Sequence, residues 1–175
     1  KNVEAFLVNS FTKNGKGGNP AGVVLQADSL SNDEKLAIAQ AVDFSETAFV
    51  SQDDEVDFEL SFFTTTSEVD FCGHATLAAF STMHREGLIT PGQYVQRTKA
   101  GILAVTVESN GQIVMEQALP EYRDVFSYDT ISELIGIAPQ ILRSTQLPIE
   151  VISTGLPDII AVSYTHLTLP TTRYV

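Results

Sequence analysis

A chain of 175 residues with 43% hydrophobic side chains can bury one sizeable core, and length alone predicts one domain. Its net charge of −12 and pI near 4.4 exclude nucleic acid and anionic membrane as partners and repel anionic substrates at long range, so attraction for such substrates must be local. One cysteine excludes an intrachain disulfide framework and a multi-cysteine zinc site, and the three histidines are too scattered to cluster with carboxylates at helical spacing, so no metal is expected.

The alternation of VEAFLVNSF predicts a first strand over Val3 to Phe11. A Gly-rich loop from Thr12 to Pro20 follows, then a short buried strand over Ala21 to Leu25. Ser31 with Glu34 three residues later is a capping box, and Leu36, Ile38, Ala39 and Val42 supply an apolar stripe, so the spacing predicts a helix over 31–42. Glu46 to Ser51 reads as a strand. Val56, Phe58, Leu60 and Phe62 alternate with polar residues, the period of a strand with one wet face. Past Gln93 the texture is again that of strands. Ile102 to Glu108 and Gln112 to Glu116 flank Asn110-Gly111, a strong hairpin signal. Thr130 with Glu133 predicts a second capping box on a helix ending at Gly136, and Val151-Ile152 and Ile159 to Val162 read as strands.

The stretch FFTTTSEVDFCGHATLAAF, from Phe62 to Phe80, holds the strongest functional signal. Cys72, Gly73 and His74 stand where a strand stops and a nearly all-apolar helix begins, running to about Arg85 and Gly87. A helix start offers unpaired N–H groups and the positive end of the dipole to a carboxylate or oxyanion. Gly73 lets backbone approach a ligand, and His74 can donate from its ring or amide. A helix apolar on almost every face is usually enclosed by other elements. Taken without further context, Glu46 reads as a solvated carboxylate, His74 as a structural residue, Asn19 as part of a turn, and Cys72 as either an activated thiol or a small buried hydrophobe.

Three stretches, GGNPAGVVL (17–25), FSETAFV (44–50) and EVDFCGHATLAAF (68–80), closely resemble in order and spacing the phenazine-biosynthesis isomerase (PhzF-like) family, over roughly residues 1–162. The resemblance implies an α+β fold of the diaminopimelate-epimerase type: a curved, mostly antiparallel sheet wrapped round a central helix, with a second pseudo-symmetric domain and the site in the cleft between the two. It implies that Glu46 is the catalytic acid/base, that Gly73 and His74 hold a substrate carboxylate, and that Asn19 is a substrate contact. A carboxyl group among apolar neighbours retains its proton more readily, which suits such a shuttle. Related epimerases and proline racemases use a cysteine at the place of Cys72, but paired with a second one from the other domain; Cys72 is therefore read as a small buried hydrophobe counted among the substrate-binding residues rather than as a base. The chain departs from the family pattern at Ser61 and Thr65, where Arg and Pro are common.

These readings predict a cofactor-independent isomerase or epimerase of a small carboxylate-bearing metabolite, in a cytoplasmic setting. Nothing in the sequence signals NAD, flavin, pyridoxal phosphate or ATP. The alternatives are a two-base cysteine racemase and a non-catalytic domain, with a homodimer through an exposed apolar cleft face as the expected assembly. The domain reading is 1–150 for the epimerase-like domain, 151–162 for the start of a second domain whose remainder should carry a partner Asp and a second Gly-rich anion loop, and 163–175 (SYTHLTLPTTRYV) for a non-native tail; without that remainder the chain is expected to be inactive alone.

Overall fold

The structure, a computed structural model, describes residues 2–155 and 157–163. Strand β1 (Phe6–Ser10) pairs antiparallel with β2 (Asn19–Val24), placing Ser10 opposite Asn19. β2 thus begins two residues before its apolar run. Pro20 is tolerated there because pairing of β2 with the next strand starts only at Ala21, so the missing N–H is not required on that side. Helix α1 (Asn32–Val42) carries the expected capping box: Glu34 N–H donates to Ser31 Oγ at 3.3 Å, and Ser31 N–H donates to Glu34 Oε2 at 2.9 Å. It ends at Asp43 in the left-handed conformation.

Strand β3 (Glu46–Ser51) returns parallel to β2, and β4 (Phe58–Phe63) runs antiparallel to β3. The short β5 (Glu68–Val69) hangs on β4 and leads into α2 (Gly73–Arg85). Then come β6 (Gly92–Thr98), parallel to β4, and the antiparallel β7 (Gly101–Val107) and β8 (Ile113–Met115). The sheet order is β1-β2-β3-β4-β6-β7-β8, with β5 to the side. The fold is α+β, and most of its pairings are antiparallel. Its two parallel pairings are both helix crossovers, which parallel neighbours require; strand texture alone did not separate them from hairpins.

Side-chain alternation sorts the sheet into two faces. Ala21, Val23, Ala48, Val50, Leu60 and Phe62 pack with α2, whereas Val24, Phe49 and Phe63 pack with Leu36, Ile38 and Ala39 of α1. Helix α2 is enclosed as predicted, with Ala75, Ala78, Ala79, Phe80 and Met83 all buried. Its buried threonines avoid a desolvation penalty by donating to the preceding turn: Thr76 Oγ1 to Cys72 O at 2.9 Å and Thr82 Oγ1 to Ala78 O at 2.7 Å. On the other face, a β-carbon at Gly22 would stand 2.6 Å from Thr47 Oγ1 and 3.0 Å from Val42 Cγ1, so α1 packs closely only because that residue is glycine.

Packing divides the chain into two units, residues 1–117 and a second from Ala118 onward. The second contains β9 (Glu121–Phe126), α3 (Tyr128–Ile135), α4 (Pro139–Arg143), β10 (Ile149–Ser153) and β11 (Pro157–Ile160), with sheet order β11-β10-β9 and a core of Ile131, Leu142 and Ile149. The sequence reading places its division at residue 150, which falls within β10, a strand that pairs with β9. One local expectation is corrected. Ser127, not Thr130, caps α3, accepting from Thr130 N–H at 3.1 Å, so the helix starts earlier than the Thr130–Glu133 spacing suggested. The predicted tail lies outside the described residues from 164 onward.

Candidate functional site

Glu46 is the first residue of β3 and shares the parity of Ala48 and Val50, so it projects on the α2 side of the sheet. The same end of the sheet holds the last residue of β1, Ser10, and the first of β2, Asn19. Ser10 Oγ donates to His74 O at 2.7 Å, tying the first turn of α2 to this edge. Cys72 is the N-cap of α2 in extended conformation, and its carbonyl accepts the first intrahelical bond from Thr76 N–H at 3.0 Å. The N–H groups of Gly73, His74 and Ala75 precede that bond and are the helix-start donors.

Three side chains meet at this tip. His74 Nε2 lies 3.4 Å from Glu46 Oε2, with the side chains 10% and 23% exposed respectively. Nε2 is buried and has no aligned hydrogen bond, so the contact with Glu46 is one of proximity rather than of a formed bond. His74 Nδ1 lies 3.3 Å from Cys72 Sγ. Burial pushes the Cys72 thiol up to about 12; the neighbouring Glu46 charge adds to the rise, while the backbone N–H groups of Ala75 and His74 oppose it. Position at a helix start would by itself activate a thiol, but desolvation wins here, and Cys72 is a protonated neighbour near neutrality.

A β-carbon at Gly73 would make only ordinary contact with Met115 Cε, at 3.4 Å, and with Gln117 Nε2, at 3.8 Å. Neighbouring side chains therefore do not require glycine there. Gly18 is different: its φ is +89° and a β-carbon would lie 2.3 Å from Ser10 O, so the turn that delivers Asn19 needs it. Asn19 itself is exposed, opposite Ser10 and two residues before Ala21, the register partner of Glu46. Ser10, Met115 and Gln117 were not foreseen as neighbours of the tip. Ser10 is the one with a signal, being a polar residue in the inward phase of Phe6 and Val8.

The two departures from the family pattern both contact α1. Ser61 Oγ accepts from Lys35 Nζ at 2.9 Å, and Thr65 O accepts from Gln40 Nε2 at 3.0 Å. Potential metal ligands, absent from the sequence by spacing, are close in space: one ligand atom from each of Glu46, Cys72 and His74 lies within 4.8 Å of the others, but the carboxylate and the sulfur face opposite ring nitrogens of His74 and so do not converge on one ion.

The family model described as "Phenazine biosynthesis-like protein" (PhzC-PhzF) matches residues 8–169. The chain belongs to that family. The match runs past Val162, where the sequence motifs had placed the end of the resemblance. An uncharacterized isomerase of Bacillus subtilis, YfhB, is 38% identical over 162 residues, covering 89% of this chain and 55% of the relative. An uncharacterized isomerase of Clostridium acetobutylicum is 38% identical over 158 residues, covering 86% of this chain and 52% of the relative. The crystal structure of a Bacillus anthracis phenazine biosynthesis protein of the PhzF family superposes with a TM-score of 0.80 at 35% identity, covering 91% of this chain and 55% of that one. A predicted epimerase of Pseudomonas aeruginosa gives 0.80 at 21% identity over 93% of this chain and 60% of that one, a likeness of fold alone. The chain spans about half the length of the curated relatives it matches. Among the described residues of this PhzF-like chain, no helix is long and apolar enough to cross a membrane.

Proposed function

We propose that the protein carrying this sequence is a cofactor-independent isomerase of a small carboxylate-bearing metabolite, in which Glu46 moves a proton from one carbon to another. The observation that carries this reading is the 3.4 Å approach of Glu46 Oε2 to His74 Nε2 at the tip of an enclosed helix. Glu46 would accept the proton from a carbon of the substrate and return it to a second carbon, so no outside acid or oxidant is consumed. The helix-start N–H groups of Gly73, His74 and Ala75 would hold the substrate carboxylate, and the imidazole beside Glu46 would orient the reacting edge. This is local attraction of the kind that a chain of net charge −12 needs for an anion. Asn19, at the same sheet end, is assigned to substrate contact. A thiol at about 12 is a poor base near neutrality, which favours Glu46 over Cys72 as the proton carrier.

The test is Glu46→Gln in the full-length protein. Turnover should fall about 10²–10⁴-fold, the contribution of a general acid/base, with circular dichroism unchanged. A variant with near-normal turnover would sink the assignment. Cys72→Ala should keep appreciable activity, and a loss as deep as that of Glu46→Gln would move the chemistry to the thiol. The relatives are about twice as long, so the 175-residue chain by itself should not turn over. Measurable isomerisation by it would refute that part.

A further inference from the structure

We propose that the Cys72 thiol fixes the tautomer of His74, donating its hydrogen to Nδ1 so that Nε2 carries the ring hydrogen and turns it toward Glu46. A neutral imidazole has one N–H donor and one lone-pair acceptor, and the partner at one nitrogen dictates what the other becomes. The two neighbours stand at opposite nitrogens: Cys72 Sγ is 3.3 Å from Nδ1, and Glu46 Oε2 is 3.4 Å from Nε2. Only one placement of the single ring hydrogen suits both.

On the sulfur side, Cys72 is 9% exposed, and the backbone N–H groups of Ala75 and His74 face its sulfur. Those donors occupy the acceptor side of the sulfur, so the hydrogen of the thiol needs an acceptor of its own. Among the described residues, His74 Nδ1 is the acceptor within hydrogen-bonding reach. Burial holds that hydrogen on the sulfur, with the thiol pushed up to about 12. A ring hydrogen on Nδ1 would aim a third donor at the sulfur and leave the S–H unpaired in a buried place, which is costly.

On the carboxylate side, Nε2 is buried without an aligned hydrogen bond, and the His74 side chain is only 10% exposed. A lone pair on Nε2 would face a carboxylate oxygen at 3.4 Å with negative charge density on both atoms and little water between them. A hydrogen there instead makes Nε2 a donor, which a small turn of either side chain brings into line. Both sides place the hydrogen on Nε2. Cys72 is then a positioning residue: it keeps a donor, rather than a lone pair, beside the base. That role rests on the isomerase assignment, whereas the tautomer does not, so the two can fail separately.

Nitrogen-15 shifts of the imidazole report the tautomer directly. The 175-residue chain holds three histidines, and His74→Gln identifies the His74 signals by their loss. With nitrogen-15-labelled histidine at pH 8, Nε2 should lie at the protonated position and Nδ1 at the unprotonated one. Cys72→Ala should bring the two shifts toward each other as the ring divides between tautomers, and Cys72→Ser, which keeps a donor, should restore their separation. Cys72 is the only cysteine, so the chain gives one S–H stretching band in the infrared, and it should be displaced to lower frequency than that of an unbonded thiol. A hydrogen on Nδ1, or on both nitrogens, overturns the assignment. So do ring shifts unchanged in Cys72→Ala, or Cys72→Ser behaving as Cys72→Ala does. Where Cys72→Ala does not fold, an S–H band at the unbonded position in the parent chain overturns it.

Discussion

Iodoacetamide should alkylate Cys72 about a thousandfold more slowly in the folded chain than in urea at pH 8. The reacting species is the thiolate, so the rate follows its fraction. Burial pushes the thiol from its ordinary 9.0 to about 12, and a displacement from 9 to 12 lowers the thiolate fraction about 10³-fold at any pH below both values. Intact mass spectrometry reads the reaction directly, since one cysteine gives one adduct. Glu46→Gln should speed the folded-state reaction a few-fold, roughly, because its charge is one of the groups raising the thiol. The same proton links to stability. With the folded pKa raised, its contribution is fully present below pH 9 and is lost as pH climbs toward 12, roughly 4 kcal/mol in all. Folded and unfolded rates within tenfold of each other at pH 8 would refute the burial argument and reopen Cys72 as a base.

Gly22→Ala should destabilise the chain by about 1–3 kcal/mol in urea titration, because the new methyl meets Thr47 Oγ1 at 2.6 Å under α1; an unchanged midpoint would mean that α1 is free to shift. Phe80→Ala should cost about 3–5 kcal/mol, since the ring is fully buried and meets Phe58 and Tyr94 at 6.0 and 6.2 Å between centroids. Arg97 Nε donates to Asp53 Oδ2 at 2.6 Å and holds that carboxyl down at about 2. Its folded pKa is lowered, so the stabilisation is present above about pH 4 and lost as pH falls toward 2; the stability gap between the parent chain and Asp53→Asn should shrink over that window, and a gap constant with pH would contradict it.

The −12 charge and the cluster at the tip of α2 bear on each other. A protein whose overall field repels anions must bind one through short-range donors, and helix-start N–H groups, being fixed by the backbone, need no reorganisation to do so. Ser10 is the residue that fixes them, through its bond to His74 O. That bond joins residues 64 positions apart, and it registers the helix against the sheet end where Glu46 stands.

Local physics is what the sequence by itself determined. The Ser31–Glu34 capping box set the start of α1, the apolar run after Cys72 set an enclosed helix from Gly73 to Arg85, and Asn110-Gly111 set the β7–β8 turn, because caps, periodicity and turn residues act within a few positions. The motifs around Glu46 and His74 likewise carried the family. Long-range pairing was decided only in the tertiary structure. Nothing within reach of β2 says that β3 will lie parallel beside it, or that β9 will claim β10, because strand partners are chosen by register across the whole sheet. The α3 start moved to Ser127 for a related reason, since two capping-competent residues stood three apart and the sequence did not rank them. The meeting of Glu46 with His74 and Cys72 is tertiary as well. Spacing of 26 and 28 residues along the chain is no ligand signal, yet a strand end and a helix start brought to one edge of a sheet put their side chains within 4.8 Å.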